Sequence, residues 1–371
     1  MQGRVVKVIH VFWTARTGGI QKLVISLAAE QNRREDLEAG ICILKNEGEL
    51  FGEIEAAGIP CHVIGLRSGY SVSRSRFRTL LKILKQYDLI HLHDYNPLTA
   101  LMAIRSGRKI VYSEHGNFSI FREKKVTDPL LNFMEGIFLR KYPVFITYDS
   151  DFARRTANRL FKTGNKNQRV IYNGIPETGH SGNTGSMDPG IPVERDLFRI
   201  GTLSRLAKVK RVERLIGSFS KYRYRDRSML IIAGDGPLKE KLNQQAAALN
   251  LGDRILFTGM VKDPEAVYSL LDVFVLPSNN EAFGLTVVEA LSHGKPVLLF
   301  GDAGGAVEIV DGIEPENIVG DEEGMARRLE YYFEHRDRIA EGARARKDRA
   351  DLFRTGRMER EYYEAYREIL K

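Results

Sequence analysis

The sequence predicts two doubly wound, Rossmann-like α/β domains joined by a linker, with a C-terminal helical tail. Three observations predict it. Short apolar runs alternate with segments of helical period over the first 172 residues, the pattern of parallel strands with crossover helices. A polar, Gly/Pro-rich stretch without periodicity, NGIPETGHSGNTGSMDPGIPVERD, then breaks the alternation at 173–196. The alternation restarts at 197, and from Met325 to the last residue the chain reads as charged helix. The expected boundaries are a first domain at 1–172, a linker at 173–196 and a second domain at 197–350. A helix at 351–371 has the first domain to pack back on.

In the first domain the strand candidates are 4–13, 39–44, 61–65, 88–93, 109–113, 144–148 and 169–172. Between the first two, Ile20, Leu23, Val24 and Leu27 recur at three-to-four spacing, which predicts a helix over 20–33. In the second domain a strand opens with LFRIGTLS. Val209, Val212, Leu215, Ile216 and Phe219 share one face of the helix after it. MLIIAG, RILFTG, DVFVLP and PVLLF follow as strands.

The 371 residues are 43% hydrophobic and 28% charged, an ordinary globular mixture long enough to bury its core without disulfides. Secreted scaffold, fibrous, disordered and integral membrane classes are excluded. No window approaches the ~20 apolar residues of a membrane span. Lys7 lies inside the first apolar run, and no small-residue cleavage site follows, so that run is a strand and not a signal peptide. Cys42 and Cys61, in GICIL and PCHVIGL, lack metal or redox spacing and read as buried, reduced thiols of a cytoplasmic protein. The net charge of +8 is unevenly shared. Residues 1–172 carry 27 Lys and Arg against 16 Asp and Glu; the remainder carries 29 against 32. The first half therefore faces something anionic.

Open parallel sheets bind ligands at the carboxyl ends of their strands, so the strand-to-helix loops are the places for chemistry. After the first strand comes Thr14-Ala15-Arg16-Thr17-Gly18-Gly19, where two glycines let backbone N–H groups approach an anion at a helix start; a simple tight turn reads equally well there. The second domain's equivalent loop, Leu203 to Arg211, holds Arg205 and, five residues on, Lys210. A planar fork and a point charge near a helix N-terminus suit a diphosphate, against a solvated basic helix start that the dipole disfavours. The third loop, Pro277-Ser-Asn-Asn-Glu281-Ala-Phe283-Gly284-Leu285, opens the apolar helix that contains Glu289. Its carboxylates suit sugar or ribose hydroxyls while helix-start N–H groups take a phosphate. Capping by Glu281 and a backbone-paired Glu289 is the plainer alternative.

With these residues in place the chain resembles the retaining glycosyltransferases of family 4, which have the GT-B fold of two such domains facing a cleft. The resemblance rests on Glu281-x7-Glu289 within EAFGLTVVEAL and the GKPV after it. GG at 18–19, EHG at 114–116, NG at 173–174, SRL…K at 204–210, AGDGP at 233–237 and GG…E at 304–308 follow in the family's order. It covers nearly the whole chain and is most specific over 197–310; DAGG at 302–305 departs from the Ser or Thr that often precedes those glycines. The resemblance implies a nucleotide diphosphate sugar donor, UDP- or GDP-linked, and no further cofactor or metal. Glu289 would hold the ribose, Glu281 the sugar hydroxyls, and Arg205 and Lys210 the diphosphate, with Gly18 and Gly19 closing over it. Gly234, Phe283, Gly284 and Leu285 would line the donor, Met260 and Val261 would meet the base through their backbone, and His115 would sit beside the transferring sugar. The implied activity is hexosyl transfer to a glycan or lipid-linked acceptor. A soluble acceptor and a sugar-nucleotide epimerase of related architecture are the alternatives.

Other features have plainer explanations. Asp149-Ser150-Asp151 matches a metal-binding DxD, but it joins a strand to a helix, where capping explains it. His91 and His93 alternate along DLIHLHD without further ligands, and Trp13 fits either core or site wall. The acidic second half argues against a nucleic-acid partner. From Leu66 to Tyr87 there are six cations and no acid. At helical spacing Arg74, Arg78, Lys82 and Lys85 form a stripe beside Phe77, Leu80, Leu81 and Leu84. This stripe predicts peripheral attachment to an anionic membrane surface, with a solvated helix as its alternative.

Overall fold

The structure is a computed structural model that describes residues 4–67, 73–116, 128–164, 166–177, 196–261 and 263–371. It divides into two compact units, Met1–Glu177 with Arg354–Lys371, and Thr178–Phe353. Most of the expected linker, 178–195, lies outside the described residues.

The first unit runs β1 (Val6–Phe12), α1 (Gly19–Gln31), β2 (Leu37–Ile43), α2 (Phe51–Ala56), β3 (Cys61–Val63), α3 (Arg74–Leu84), β4 (Leu89–Leu92), α4 (Pro97–Ser106), β5 (Lys109–Glu114), α5 (Asp128–Lys141), β6 (Val144–Tyr148), α6 (Asp151–Phe161) and β7 (Gln168–Val170). Its strands form one parallel sheet in the order β3-β2-β1-β4-β5-β6-β7. The order reverses between β1 and β4, where His10 pairs in register with His91. Helix starts follow the sequence: Ser73, Asn96 and Ser150 cap α3, α4 and α6 with their side chains.

The second unit runs β8 (Phe198–Leu203), α7 (Val212–Lys221), β9 (Ser228–Ala233), α8 (Lys239–Ala248), β10 (Ile255–Gly259), α9 (Pro264–Leu270), β11 (Val273–Leu276), α10 (Leu285–Ser292), β12 (Val297–Phe300), α11 (Ala306–Val310), β13 (Ile318–Val319), α12 (Glu322–Glu334), α13 (Asp337–Glu341) and α14 (Ala343–Asp351). Its parallel sheet has the order β10-β9-β8-β11-β12-β13, with the reversal between β8 and β11. Leu215, Ile216 and Phe219 of α7 and Leu329 and Tyr332 of α12 bury the apolar face of β8 and β9.

The last helix, α15 (Thr355–Leu370), belongs to the first unit and packs on α1. Gly174 makes this return possible, because a Cβ there would lie 2.6 Å from the Arg354 carbonyl carbon. Thr355 N donates to Ile175 O at 2.9 Å beside it.

Three local expectations are corrected. Cys42 is buried but Cys61 is exposed, because β3 is an edge strand with only one neighbour. Val209 does not share the buried face of α7, and Lys210 does not begin that helix. Both sit in a separate 3-10 turn, Lys208–Lys210, which Arg211 in the left-handed region (φ 49°) disconnects from α7.

Candidate functional site

The carboxyl ends of β8 and β11 flank the reversal of the second sheet, the place where open α/β sheets hold ligands. Two loops meet there. After β8, Ser204 N donates to Ala233 O at 3.0 Å and Leu206 N to Asp235 O at 2.9 Å, which fixes the Arg205 loop to AGDGP. Gly234 adopts φ 132°, and a Cβ on it would lie 2.0 Å from Ser204 O. This position needs glycine to seat the loop. Arg205 is exposed, and its guanidinium makes no ion pair among the described residues.

After β11, Glu281 N donates to Ala303 O at 3.1 Å and Gly305 N to Glu281 O at 2.8 Å, so the DAGG loop lies alongside the Glu281 turn. The two loops are joined by one ion pair, in which Lys210 Nζ donates to Glu281 Oε1 at 2.6 Å. Two residues predicted separately, 71 positions apart, are thus in contact. The same edge holds Arg214, not singled out from the sequence, which donates to both Asp302 oxygens at 2.9 and 3.0 Å and lies over the Phe300 ring. Its signal in the sequence was a cation in the first turn of the helix that follows the Arg205 loop.

Helix α10 starts at Gly284, which adopts φ 107° and supplies no side-chain cap. A Cβ there would meet the Ala306 Cβ at 2.9 Å. Val287 N and Val288 N turn back to Gly284 O at 3.0 and 3.4 Å, which leaves the Leu285 and Thr286 N–H groups to face an anion at the positive end of the helix dipole. Glu289, in the second turn, accepts from Tyr268 Oη at 2.6 Å. Burial and the adjacent carboxylate hold the Tyr268 hydroxyl well above its usual pKa, so it remains a donor. Phe283 is buried against the Phe353 ring, which anchors the turn. Met260, directly after β10, is 82% exposed. Val261 follows it, and Leu285 is half-buried.

In the first unit, Gly18 and Gly19 lie between β1 and α1 as expected. Gly18 is extended backbone, and its turn is tied to Glu49, which accepts from Thr17 N at 3.0 Å. His115 follows β5, but its ring does not point into open space. Nδ1 contacts the Asp149 carboxylate at 2.9 and 3.0 Å, and Nε2 lies 3.0 Å from His93 Nδ1. Both nitrogens are engaged and the side chain is 1% exposed, so the ring is held in a buried network. Burial opposes its charge, yet Asp149, Glu114 and Asp94 together raise its pKa.

Of the DxD residues, Asp149 serves His115, Ser150 caps α6, accepting from Ala153 N at 3.0 Å, and Asp151 pairs with Arg154 and Arg155. His10, His91 and His93 bring ring nitrogens within 4.8 Å of one another, a spacing usable by a metal ion. All six of those nitrogens are instead committed to hydrogen bonds.

Two parallel-sheet Rossmann-like units with a helical tail define the GT-B architecture. HepE from Anabaena, solved with UDP and glucose, superposes with a TM-score of 0.78 over 98% of this chain and 100% of that one at 20% identity. Residues 17–178 match Glycosyltransferase Family 4, and residues 190–346 match Glycosyl transferases group 1. The chain thus carries a family 4-like domain followed by a group 1 glycosyltransferase domain. It is 28% identical over 221 residues to the O-antigen biosynthesis glycosyltransferase WclY of Escherichia coli, over 58% of this chain and 61% of that protein. It is 35% identical over 104 residues to the alpha-monoglucosyldiacylglycerol synthase of Streptococcus pneumoniae, over 27% of this chain and 24% of that one. The chain therefore spans less than two thirds of either relative.

Proposed function

We propose that the protein is a retaining, metal-independent hexosyltransferase working at the cytoplasmic face of a membrane. It moves a sugar from a UDP- or GDP-linked donor to a hydroxyl of a lipid-linked or cell-surface glycan precursor. The observation that carries this reading is the cluster at the β8–β11 reversal: the Lys210–Glu281 pair, the Arg205 guanidinium with no ion pair among the described residues, and the α10 start without a side-chain cap. Few ligands but a sugar diphosphate ask for cations, helix N–H groups and carboxylates within one set of loops. The two domain matches and the UDP found with HepE support the same donor class.

In the mechanism that follows, Glu281 and Lys210 neutralise each other until the donor arrives. The diphosphate then takes Lys210 and Arg205, which frees Glu281 for the sugar hydroxyls, while Glu289, oriented by Tyr268, holds the ribose. Negative charge grows on the departing diphosphate as the anomeric carbon gains oxocarbenium character. Arg205, Lys210 and the α10 N–H groups stabilise it most when it is largest, which is how they lower the barrier. The leaving phosphate takes the acceptor's proton. In this reading His115 orients the transferring sugar, and Gly18 and Gly19 offer backbone N–H groups to phosphate oxygens.

Three features support the membrane side of the proposal. Arg74, Arg78 and Lys82 on α3 and Lys85 at its C-cap are exposed, with Leu80 and Leu84 buried behind them, and make no ion pair among the described residues. The next helices of that layer expose Leu101 by 47%, Leu130 by 62% and Phe133 by 61%. One relative is named for a diacylglycerol glycolipid. No helix among the described residues is long and apolar enough to cross a membrane. The test of the reaction is donor turnover followed by proton NMR at early times. The released or transferred sugar keeps the donor's anomeric configuration if the proposal holds, and inversion overturns retention.

A further inference from the structure

We infer that Gln31, His10 and His93 form a buried, proton-directing chain that sets the charge and orientation of His115, which makes them positioning residues for the site at the end of β5. This rests on the proposed role of His115 in transfer.

The chain is continuous. Gln31 Oε1 lies 2.8 Å from His10 Nε2, and His10 Nδ1 lies 2.8 Å from His93 Nε2. His93 Nδ1 lies 3.0 Å from His115 Nε2, and His115 Nδ1 reaches the Asp149 carboxylate at 2.9 Å. All five residues are buried. Four hydrogen bonds need four hydrogens. Three neutral imidazoles bring three, while the amide oxygen and the carboxylate at the two ends bring none. This arrangement therefore holds one additional proton, and every direction follows from its place. With His115 doubly protonated, His115 Nε2–H donates to His93, His93 Nε2–H to His10, and His10 Nε2–H to Gln31.

One other arrangement satisfies all four contacts. The Gln31 amide turns over, its N–H donates to His10, and the three bonds from Gln31 to His115 reverse with His115 neutral, while His115 Nδ1–H still donates to Asp149. His10 and His93 then carry hydrogen on Nδ1. A side branch reverses in step: Gln31 Nε2 lies 3.4 Å from Tyr366 Oη, which lies 2.7 Å from His91 Nδ1, and His91 Nε2 lies 2.6 Å from Ser113 Oγ. The protonation of His115 is thereby linked to an amide on α1 and to a hydroxyl on α15.

The surroundings favour the charged arrangement and place its proton at one end. Facing the chain are His10 from β1, His91 from β4 with His93 and Asp94 after it, Glu114 from β5, Asp149 after β6, and Tyr362 and Tyr366 from α15. Burial pushes His10 down to about 4, and burial with mutual repulsion pushes His91 and His93 well below the ordinary value. Only His115, among three carboxylates, is raised. Burial keeps both tyrosine hydroxyls protonated. The His115–Asp149 pair is then neutral overall, and its clamped ring braces the turn at Gly116, which adopts φ 77°.

The experiment is ring-nitrogen NMR on the uniformly 15N-labelled full chain between pH 6 and 9, alongside the pH profile of donor turnover. At the acid end His115 shows two protonated nitrogens, and His10 and His93 show the Nε2–H form. As His115 deprotonates, both switch to the Nδ1–H form with the same midpoint, and turnover falls with that midpoint. Gln31→Glu, which can only accept, moves the midpoint up by about one pH unit, a tenfold gain in proton affinity. His93→Phe moves it down, and His93→Asn, which keeps an acceptor near the Nδ1 position, restores it. Tautomers that do not change with His115, or a midpoint indifferent to Gln31→Glu, overturn the chain. So does a metal ion retained one-to-one on these rings, because a ligated nitrogen cannot carry the required proton. A coupled titration that turnover ignores overturns the positioning role. The absence of turnover with any donor defeats the proposed function, while the NMR still decides the chain.

Discussion

Lys210→Met is the substitution whose consequence is best defined. The Lys210 side chain is 28% exposed and its ammonium donates to Glu281 at 2.6 Å, so the pair is partly solvated. Its loss should cost folding stability no more than about 1 kcal/mol, the range of solvent-accessible ion pairs. In catalysis the same ammonium is proposed to meet a diphosphate whose charge is increasing. A charge-assisted bond of ~1.5–3 kcal/mol there corresponds to a fall of about 10- to 150-fold in kcat/KM. Part of that loss belongs in kcat, because the interaction strengthens toward the transition state. Glu281→Gln in the Lys210→Met background should cost less than in the wild type, since the two residues share one exchange. Chemical denaturation with steady-state donor turnover on the four proteins of the cycle measures both quantities. A kcat/KM within threefold of wild type in Lys210→Met, or strict additivity, would refute the exchange.

Gly284→Ala must hold φ 107° and crowd the Ala306 Cβ at 2.9 Å, so it should destabilise by about 1–3 kcal/mol and weaken donor affinity together; urea denaturation and calorimetry read the two effects. His10, depressed to about 4 in the folded state against 6.5 unfolded, binds its proton only on unfolding. Stability should therefore fall as pH drops through 6.5 toward 4, by about 3 kcal/mol from this residue. His115, raised when folded, acts oppositely: its contribution is present below 6.5 and lost as pH rises through its own value. Urea midpoints across pH 4–9 test both, and a flat profile on the acid side contradicts the first. Donor turnover should survive dialysis against EDTA, because the proposed charge partners are Arg205 and Lys210; a loss restored by Mg²⁺ contradicts that. Anionic vesicles should sediment the wild type at low salt, and an Arg74/Arg78/Lys82/Lys85→Glu variant should stay in solution. Equal sedimentation removes the membrane surface from the account and favours a soluble acceptor.

The strands were legible because period and length suffice for apolar runs such as VKVIHVF and VFITY, whereas Ile318–Val319 is too short to stand out. What lies at a sheet edge was not legible. Cys61 sits in an apolar run like Cys42, and only the strand order shows that β3 has a single neighbour. At the candidate site the parts were readable singly, as a cation in one loop and a carboxylate in another. Their contact depends on β8 and β11 being adjacent, which no local pattern encodes. The histidines show the same limit more strongly. His91 and His93 alternate visibly, but His10 and His115 join them only through the pairing of β1 with β4 and β4 with β5. Phe283 and Gly234 were predicted as donor contacts, and their measurable roles are packing against Phe353 and seating the Ser204 loop.

The central claim is that a nucleoside diphosphate is held at the β8–β11 reversal by Arg205 and Lys210. Calorimetric titration of the full chain with UDP, GDP and the matching monophosphates tests it most directly. The account predicts saturable binding of one diphosphate, weaker binding of its monophosphate, and a loss of affinity of 100-fold or more in the Arg205→Ala/Lys210→Ala variant, on the order of two charge-assisted bonds. Binding of either diphosphate with unchanged affinity in that variant, or of none to the wild type, would contradict it.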